Sequence, residues 1–325
     1  MKARASLHSR AEQYLAERRG LGYSLRTPAC SVLSFARHLQ ALGHRGPLTV
    51  DVMTEWARRD SHGSRDPNTW ARRLKHLRSF ARWMRQFDPL TEIPDHTIFG
   101  RIDERQAPHI YSETEIIDLL AAARRLGPAT QPRGLIFATL FGLLASCGLR
   151  IGEALALRNA DVDLSRGMLL IRKAKFGKSR QVPMHSSTTQ ALLLYRQAMD
   201  WAGKSSAPEA PFFIGTRGRR DGTALGDRQV HRVFDELREQ LAWCNRGNHH
   251  APRIHDLRHT FVVRRIAQWQ AQGADVDQAI LALSTYVGHA EVGNTYWYLS
   301  AAPELMAVAG LRFASFASQM EASHA

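Results

Sequence analysis

Apolar residues return at three- and four-residue steps through most of the chain, the period of a helix with one buried face. In the first hundred residues this spacing predicts four short helices: Ser6 to Arg19, Ser24 to Leu42, Thr49 to Asp60 and Asn68 to Phe87. Gly20, Gly22, Gly43, Gly46-Pro47, Gly63 and Asp66-Pro67 punctuate them. From Phe87 to about Tyr111 the period lapses among Pro89, Pro94, Gly100 and Pro108, as it would in an interdomain linker. Ser112-Glu113-Thr114-Glu115 then has the form of a capping box and opens another helix. The apolar run from Gly134 to Leu149 is too short to span a bilayer and predicts a buried helix leading into Arg150.

Beyond Arg150 the pattern changes. Asp161 to Leu164, Met168 to Lys173 and Gln181 to Met184 predict three short strands, turned at Ser165-Arg166-Gly167 and Phe176-Gly177-Lys178. Helices resume at Thr188 to Trp201, Asp227 to Trp243, His255 to Ala271, Val276 to Val287 and Pro303 to Gln319. The expected fold is mainly α, with a helical N-terminal domain over 1–95 and a linker over 96–111. A mixed, mostly α domain over 112–325 follows, with a small three-stranded antiparallel β-sheet and a C-terminal helix over 303–319.

A length of 325 residues supports two cores rather than one. Apolar residues at 44% and charged residues at 23% exclude a disordered chain. Lys and Arg number 44 against 30 Asp and Glu, and the net charge of +14 points to a polyanionic partner, DNA or RNA ahead of an anionic membrane. Residues 1–100 hold 17 of the basic residues and 9 of the acidic ones, so the smaller domain carries more than half of the surplus. Cys30, Cys147 and Cys244 are odd in number and lack metal-ligand spacing, which fits a reducing cytoplasm. The N-terminus has no secretory apolar run.

Charge is most ordered in the helix from Asn68. Trp70, Leu74, Leu77, Ala81 and Met84 form an apolar stripe, and Arg72, Lys75, Arg78, Arg82 and Arg85 repeat beside it with no acid between Asn68 and Phe87. A solvated cationic face is one reading; a helix laid against DNA is the better one, because compensating i,i+4 acids are missing.

The candidate chemistry lies farther on, at Arg150, at His255-Asp256-Leu257-Arg258-His259-Thr260, at Gly288-His289 and at Tyr298. A phosphodiester under attack gathers negative charge on its equatorial oxygens, and two arginine forks aimed there lower the barrier. His255 and Arg258 share one face near a helix N-terminus, where an anion is also favoured. His255 and His259 at i,i+4 are open to a metal-pair reading, but the motif is not His-Glu-x-x-His and no cysteine ligand is near.

These residues resemble the tyrosine recombinases, or phage integrases, of the simpler core-site type. The resemblance rests on Cys147-Gly148-Leu149-Arg150-Ile151-Gly152-Glu153, the hairpin Lys175-Phe176-Gly177-Lys178-Ser179-Arg180-Gln181-Val182-Pro183, His255-x-x-Arg258, Gly288-His289 and Tyr298. It covers nearly the whole chain, the basic helical part matching a core-binding domain that begins too near Met1 for an arm-binding domain. It implies that Tyr298 attacks DNA to form a 3′-phosphotyrosyl bond, that His255 assists loss of the phenolic proton, and that Arg150, Arg258 and His289 hold the phosphate. Lys175 matches the acid that protonates the 5′ leaving oxygen, with Lys173 and Lys178 as rivals, and Glu153 matches a supporting acidic position. Tyr296 is a rival nucleophile, but the step from His289 to Tyr298 fits the family; Trp297 stands where a polar residue is common.

The resemblance further implies no cofactor and no metal, and as partners double-stranded DNA with a specific core site and a homo-tetramer in the synaptic complex, with room for partner recombinases. Such an enzyme works at the nucleoid in the cytoplasm, moving or integrating a mobile element. A type IB topoisomerase and a catalytically silent DNA-binding regulator are the competing readings. The apolar face at Leu305, Val308, Ala309, Phe313 and Phe316 is expected to dock on a neighbouring protomer or on its own.

Overall fold

The computed structural model describes residues 6–23, 25–59, 65–100, 106–128, 131–172, 179–216 and 218–301. The chain divides into two compact units, Met1–Arg105 and Gln106–Ala325.

Among the described residues, four helices build the first unit: α1 Leu7–Gly20, α2 Arg26–Ala41, α3 Val50–Arg58 and α4 Pro67–Met84. Side-chain caps begin three of them. Ser6 accepts from the Ser9 amide, Thr49 from the Val52 amide, and Asp66 from the amides of Asn68 and Thr69, just ahead of Pro67 at the first helical position. The predicted apolar stripe of α4 is buried at Leu74, Leu77, Ala81 and Met84, joined by Phe80, and it meets Tyr14, Phe35 and Trp56 in one core. Trp70 is only half-buried and packs its ring against Phe99, 5.7 Å away. Ile98 and Phe99, inside the segment expected as linker, thus lie on this first core, whereas Tyr111 is buried in the second.

The second unit is organised around α6, Arg133–Cys147, which is buried on nearly every side as its uniform apolarity requires. Packed near it are α5 Glu113–Arg124, α8 Ser186–Trp201 and α10 Ile254–Ala271, with α7 Ile151–Leu155 and α9 Asp227–Leu241 completing the layer. Ser112 and Glu115 form the capping box of α5, and Glu115 is also paired with Arg246 and the buried His109. The sheet runs β1 Val162–Asp163, β2 Met168–Ile171 and β3 Arg180–Pro183, antiparallel in that order, with the buried Leu169 and Val182 facing each other across the strands. The strands β1 and β2 are shorter than predicted, and β3 has the predicted length but begins one residue earlier.

A third apolar cluster joins α10 to α11 Val276–Val287 and α12 Gly293–Ala301 through Val262, Ile266, Leu283, Val287 and Tyr298. Helix α12 is not foreshadowed in the sequence pattern; Gly293, Asn294 and Thr295 are poor helix formers. Tertiary contact holds it instead: Thr295 is fully buried and its hydroxyl lies 2.7 Å from Nδ1 of His289. The expected helix 303–319, the end of the second strand at Lys173 and the Phe176-Gly177-Lys178 turn lie outside the described residues. Among those described, no helix is long and apolar enough to cross a membrane.

Candidate active site

Two left-handed corners shape the site. Gly148 ends α6 at φ 60° and Gly288 ends α11 at φ 70°. A helix ends with unpaired carbonyl oxygens and a partial negative charge, so such a corner attracts cations. Arg258, on α10, donates from Nη1 to the Gly148 carbonyl and from Nη2 to the Val287 carbonyl, each at 2.7 Å. Arg150 caps α7 directly after the first corner and donates from Nη2 to the Gly288 carbonyl at 2.8 Å. Main-chain oxygens from the ends of α6 and α11 therefore bring the two guanidiniums together. Arg258 is 2% exposed, and burial, then the neighbouring Arg150 charge, pull its pKa down to about 10. It stays protonated at neutral pH.

Both glycines are required by space as well as by φ. A Cβ on Gly148 would overlap Cδ1 of Phe261 and come within 2.9 Å of its Cγ. On Gly288 it would lie 2.7 Å from Nη1 of Arg180.

Glu153 binds the arginines from below. Its carboxylate accepts from Nη1 of Arg150 at 2.8 Å and from both terminal nitrogens of Arg180, at 3.0 and 2.8 Å, while Nε of Arg180 donates to the Tyr286 carbonyl. Burial alone would raise the Glu153 carboxyl. The hydrogen bonds and charge of Arg180, with those of Arg150, outweigh it and hold the group down to about 2.

Tyr298 reaches this site from α12 with 3% of its surface exposed. Its hydroxyl lies 2.6 Å from Nδ1 of His259. His289, after the second corner, stacks nearly parallel to the Tyr298 ring at 6.3 Å between centroids. His255 packs edge-on against His259 at 4.8 Å. Although accessible at the surface of the site, His255 is crowded by protein, and this, then the Arg258 and Arg253 charges, push its pKa down to about 4. Trp297 covers the same group, 5.2 Å from the Tyr298 ring and 6.3 Å from His259.

The structure thus brings together Arg150, Glu153, His255, Arg258, His289 and Tyr298, and Lys175 lies outside the described residues. Tyr296 is 42% exposed and turns its hydroxyl to Asp277. Sequence reasoning gave no site role to Arg180, whose signal was its place inside the hairpin motif, and read His259, directly after the His-x-x-Arg motif, only as a possible metal partner of His255. On α4, Arg72, Lys75, Arg82 and Arg85 are exposed, whereas Arg78 is half-buried and donates from Nε to the Pro94 carbonyl at 2.9 Å.

Residues 110–304 match the model of the phage integrase family. Protein y4rB of Sinorhizobium fredii, named an integrase/recombinase, is 38% identical over 91% of this chain and 93% of its own. The tyrosine recombinase XerC of Rhodospirillum centenum is 27% identical over 79% of this chain and 69% of its own. A solved structure of the Tn1549 transposon integrase, in complex with transposon right end DNA, shares the fold at a TM-score of 0.63 and 16% identity, covering 95% of this chain and all of that one. The chain belongs to the phage integrase family, the tyrosine-type site-specific recombinases.

Proposed function

We propose that the chain cleaves and rejoins duplex DNA through a 3′-phosphotyrosyl intermediate formed on Tyr298, in the service of integration, excision or transposition of a mobile element. One observation carries the reading: two guanidiniums are fixed on the corners at Gly148 and Gly288, and the Arg258 charge is felt by both Arg150 and the buried Tyr298. The kinship with an integrase/recombinase supports the mobile-element role.

Tyr298 attacks the scissile phosphorus, and Arg150 and Arg258 stabilise the charge that grows on the non-bridging oxygens. Each arginine spends two of its terminal N–H groups on the protein, which fixes its plane before substrate arrives. His255 and His289 line the phosphate, Glu153 holds Arg150, and Lys175 protonates the departing 5′ oxygen. The phosphotyrosyl bond conserves the energy of the broken phosphodiester, so another 5′-hydroxyl reverses the step without ATP. Exchange requires four protomers on two core sites, with the exposed cations of α4 lying on the backbone of each arm.

A substrate nicked beside the cleavage site tests this, because the freed fragment diffuses away and traps the covalent complex. Wild type and Tyr296→Phe are expected to accumulate that complex and Tyr298→Phe to form none. Trapping by Tyr298→Phe refutes the nucleophile assignment. Relaxation of supercoils with no exchange between two paired sites would move the reading to a topoisomerase.

A further inference from the structure

Thr295 is fully buried, and among the described residues its hydroxyl meets one polar partner, Nδ1 of His289 at 2.7 Å. The hydroxyl proton therefore has one acceptor, and a buried hydroxyl proton left unpaired is costly. Were the ring proton on Nδ1, Thr295 would have to accept it and its own proton would be orphaned. Nδ1 thus accepts, and in the neutral ring the proton sits on Nε2. The main chain on both sides of this contact is fixed as well. The His289 amide donates to the Ser284 carbonyl at 2.9 Å, and the Thr295 amide donates to the Val292 carbonyl at 2.7 Å. His289 directly follows the Val287 and Gly288 carbonyls that hold Arg258 and Arg150.

We propose that Thr295 is a positioning residue that selects the Nε2-protonated tautomer of His289 and so keeps a hydrogen-bond donor turned to the scissile phosphate. The opposite tautomer would present a nitrogen lone pair to a negatively charged oxygen, and repulsion would replace the bond. The inference deepens the proposed strand cleavage and rests on His289 being a phosphate donor there.

The place of Thr295 in the fold gives the pairing a second consequence. Thr295 and Tyr298 stand three residues apart on α12 and share one face of that helix. Tyr298 packs with Val262 and Ile266 of α10 and with Leu283 and Val287 of α11, and these contacts seat α12. One helix therefore delivers the nucleophile and sets the protonation of the neighbouring donor. A chain with α12 displaced would lose both together.

Nitrogen NMR of the full chain, with its histidine rings labelled with ¹⁵N, reads the tautomer directly, because protonated and bare ring nitrogens resonate far apart. The His289 signals are those missing from His289→Ala. At roughly pH 8, above the ordinary imidazole range, the wild-type proton is expected on Nε2, and Thr295→Val is expected to lose that preference. Single-turnover cleavage of the nicked substrate should slow about 10–100-fold in Thr295→Val, the scale on which loss of a histidine's orienting partner acts, and Thr295→Ser should recover most of the rate. In the His289→Ala background Thr295→Val should add less than about twofold, whereas a Thr295 that merely held α12 would cost as much there as in the wild type. A wild-type ring proton on Nδ1, a wild-type rate in Thr295→Val, or an undiminished cost in the His289→Ala background overturns the inference. Should Thr295→Val fail to fold, the wild-type spectrum and the Thr295→Ser rate decide. Cleavage by His289→Ala at the wild-type rate would instead overturn the donor reading beneath, and the inference would fall with it.

Discussion

Replacing Gly148 with alanine strikes the corner on which Arg258 hangs. At φ 60° a Cβ costs about 1–2 kcal/mol in backbone strain. The added methyl also overlaps Cδ1 of Phe261, a buried ring stacked on Tyr286 at 5.6 Å with no room to retreat. Overpacking of that kind costs about 1–3 kcal/mol, and the restricted unfolded chain returns at most about 1. The net loss is therefore about 1–4 kcal/mol, a large share of a typical folding free energy of roughly 5–15. Gly152, on α7, is the control, since its Cβ would meet nothing within 4 Å and helical alanine is favoured by up to about 1 kcal/mol. Urea titration followed by circular dichroism measures both variants, and where the two units unfold separately only one transition should move. Covalent trapping below the transition should fall in Gly148→Ala, because Phe261 and Arg258 share α10 and the Gly148 carbonyl turns with its corner. Stability within about 0.5 kcal/mol of wild type, together with normal trapping, would refute the argument.

The Glu153 carboxyl sits below its usual 4.5, so its ionised form favours the folded chain: the contribution is complete above roughly pH 5 and is lost as pH falls toward 2. A displacement of that size corresponds to about 3 kcal/mol, and Glu153→Gln should flatten the stability profile over that range; an unchanged slope in urea titrations would sink the account. Charge-neutral replacement of Arg72, Lys75 and Arg82 should weaken DNA binding and lower the slope of log K against log salt by about 0.9 for each phosphate left without its cation. Arg78→Ala should reduce thermal stability while leaving that slope nearly intact, because its Nε serves the Pro94 carbonyl; the reverse pattern in fluorescence titrations contradicts the α4 reading.

Periodicity revealed most helices because the forces that make them are local. The α4 stripe and the Ser112 capping box could be read directly from spacing. Helix α12 could not, since its stability lies in a fully buried Thr295 and in contacts with α10 and α11 rather than in its own residues. The packing of Ile98 and Phe99 on the first core was hidden for a related reason: irregular backbone carries no period even where its side chains join a core. At the site, motif spacing named Arg150, Arg258 and Tyr298 but not what holds them. Arg180 reaches the Tyr286 carbonyl across 106 positions, and His259 reaches Tyr298 across 39. Such pairings exist only after the chain has closed, so sequence spacing carries no trace of them.

An arginine held by a carboxylate can be lost through mutation of its partner, but every residue type supplies a carbonyl. Three of the oxygens that orient Arg150 and Arg258 belong to the main chain at residues 148, 287 and 288. Most nearby substitutions leave those oxygens in place, so the two cations keep their aim through changes in the side chains around them. The sensitive positions are instead Gly148 and Gly288, two residues with no side chain, where what matters is the direction of the backbone rather than any chemical group.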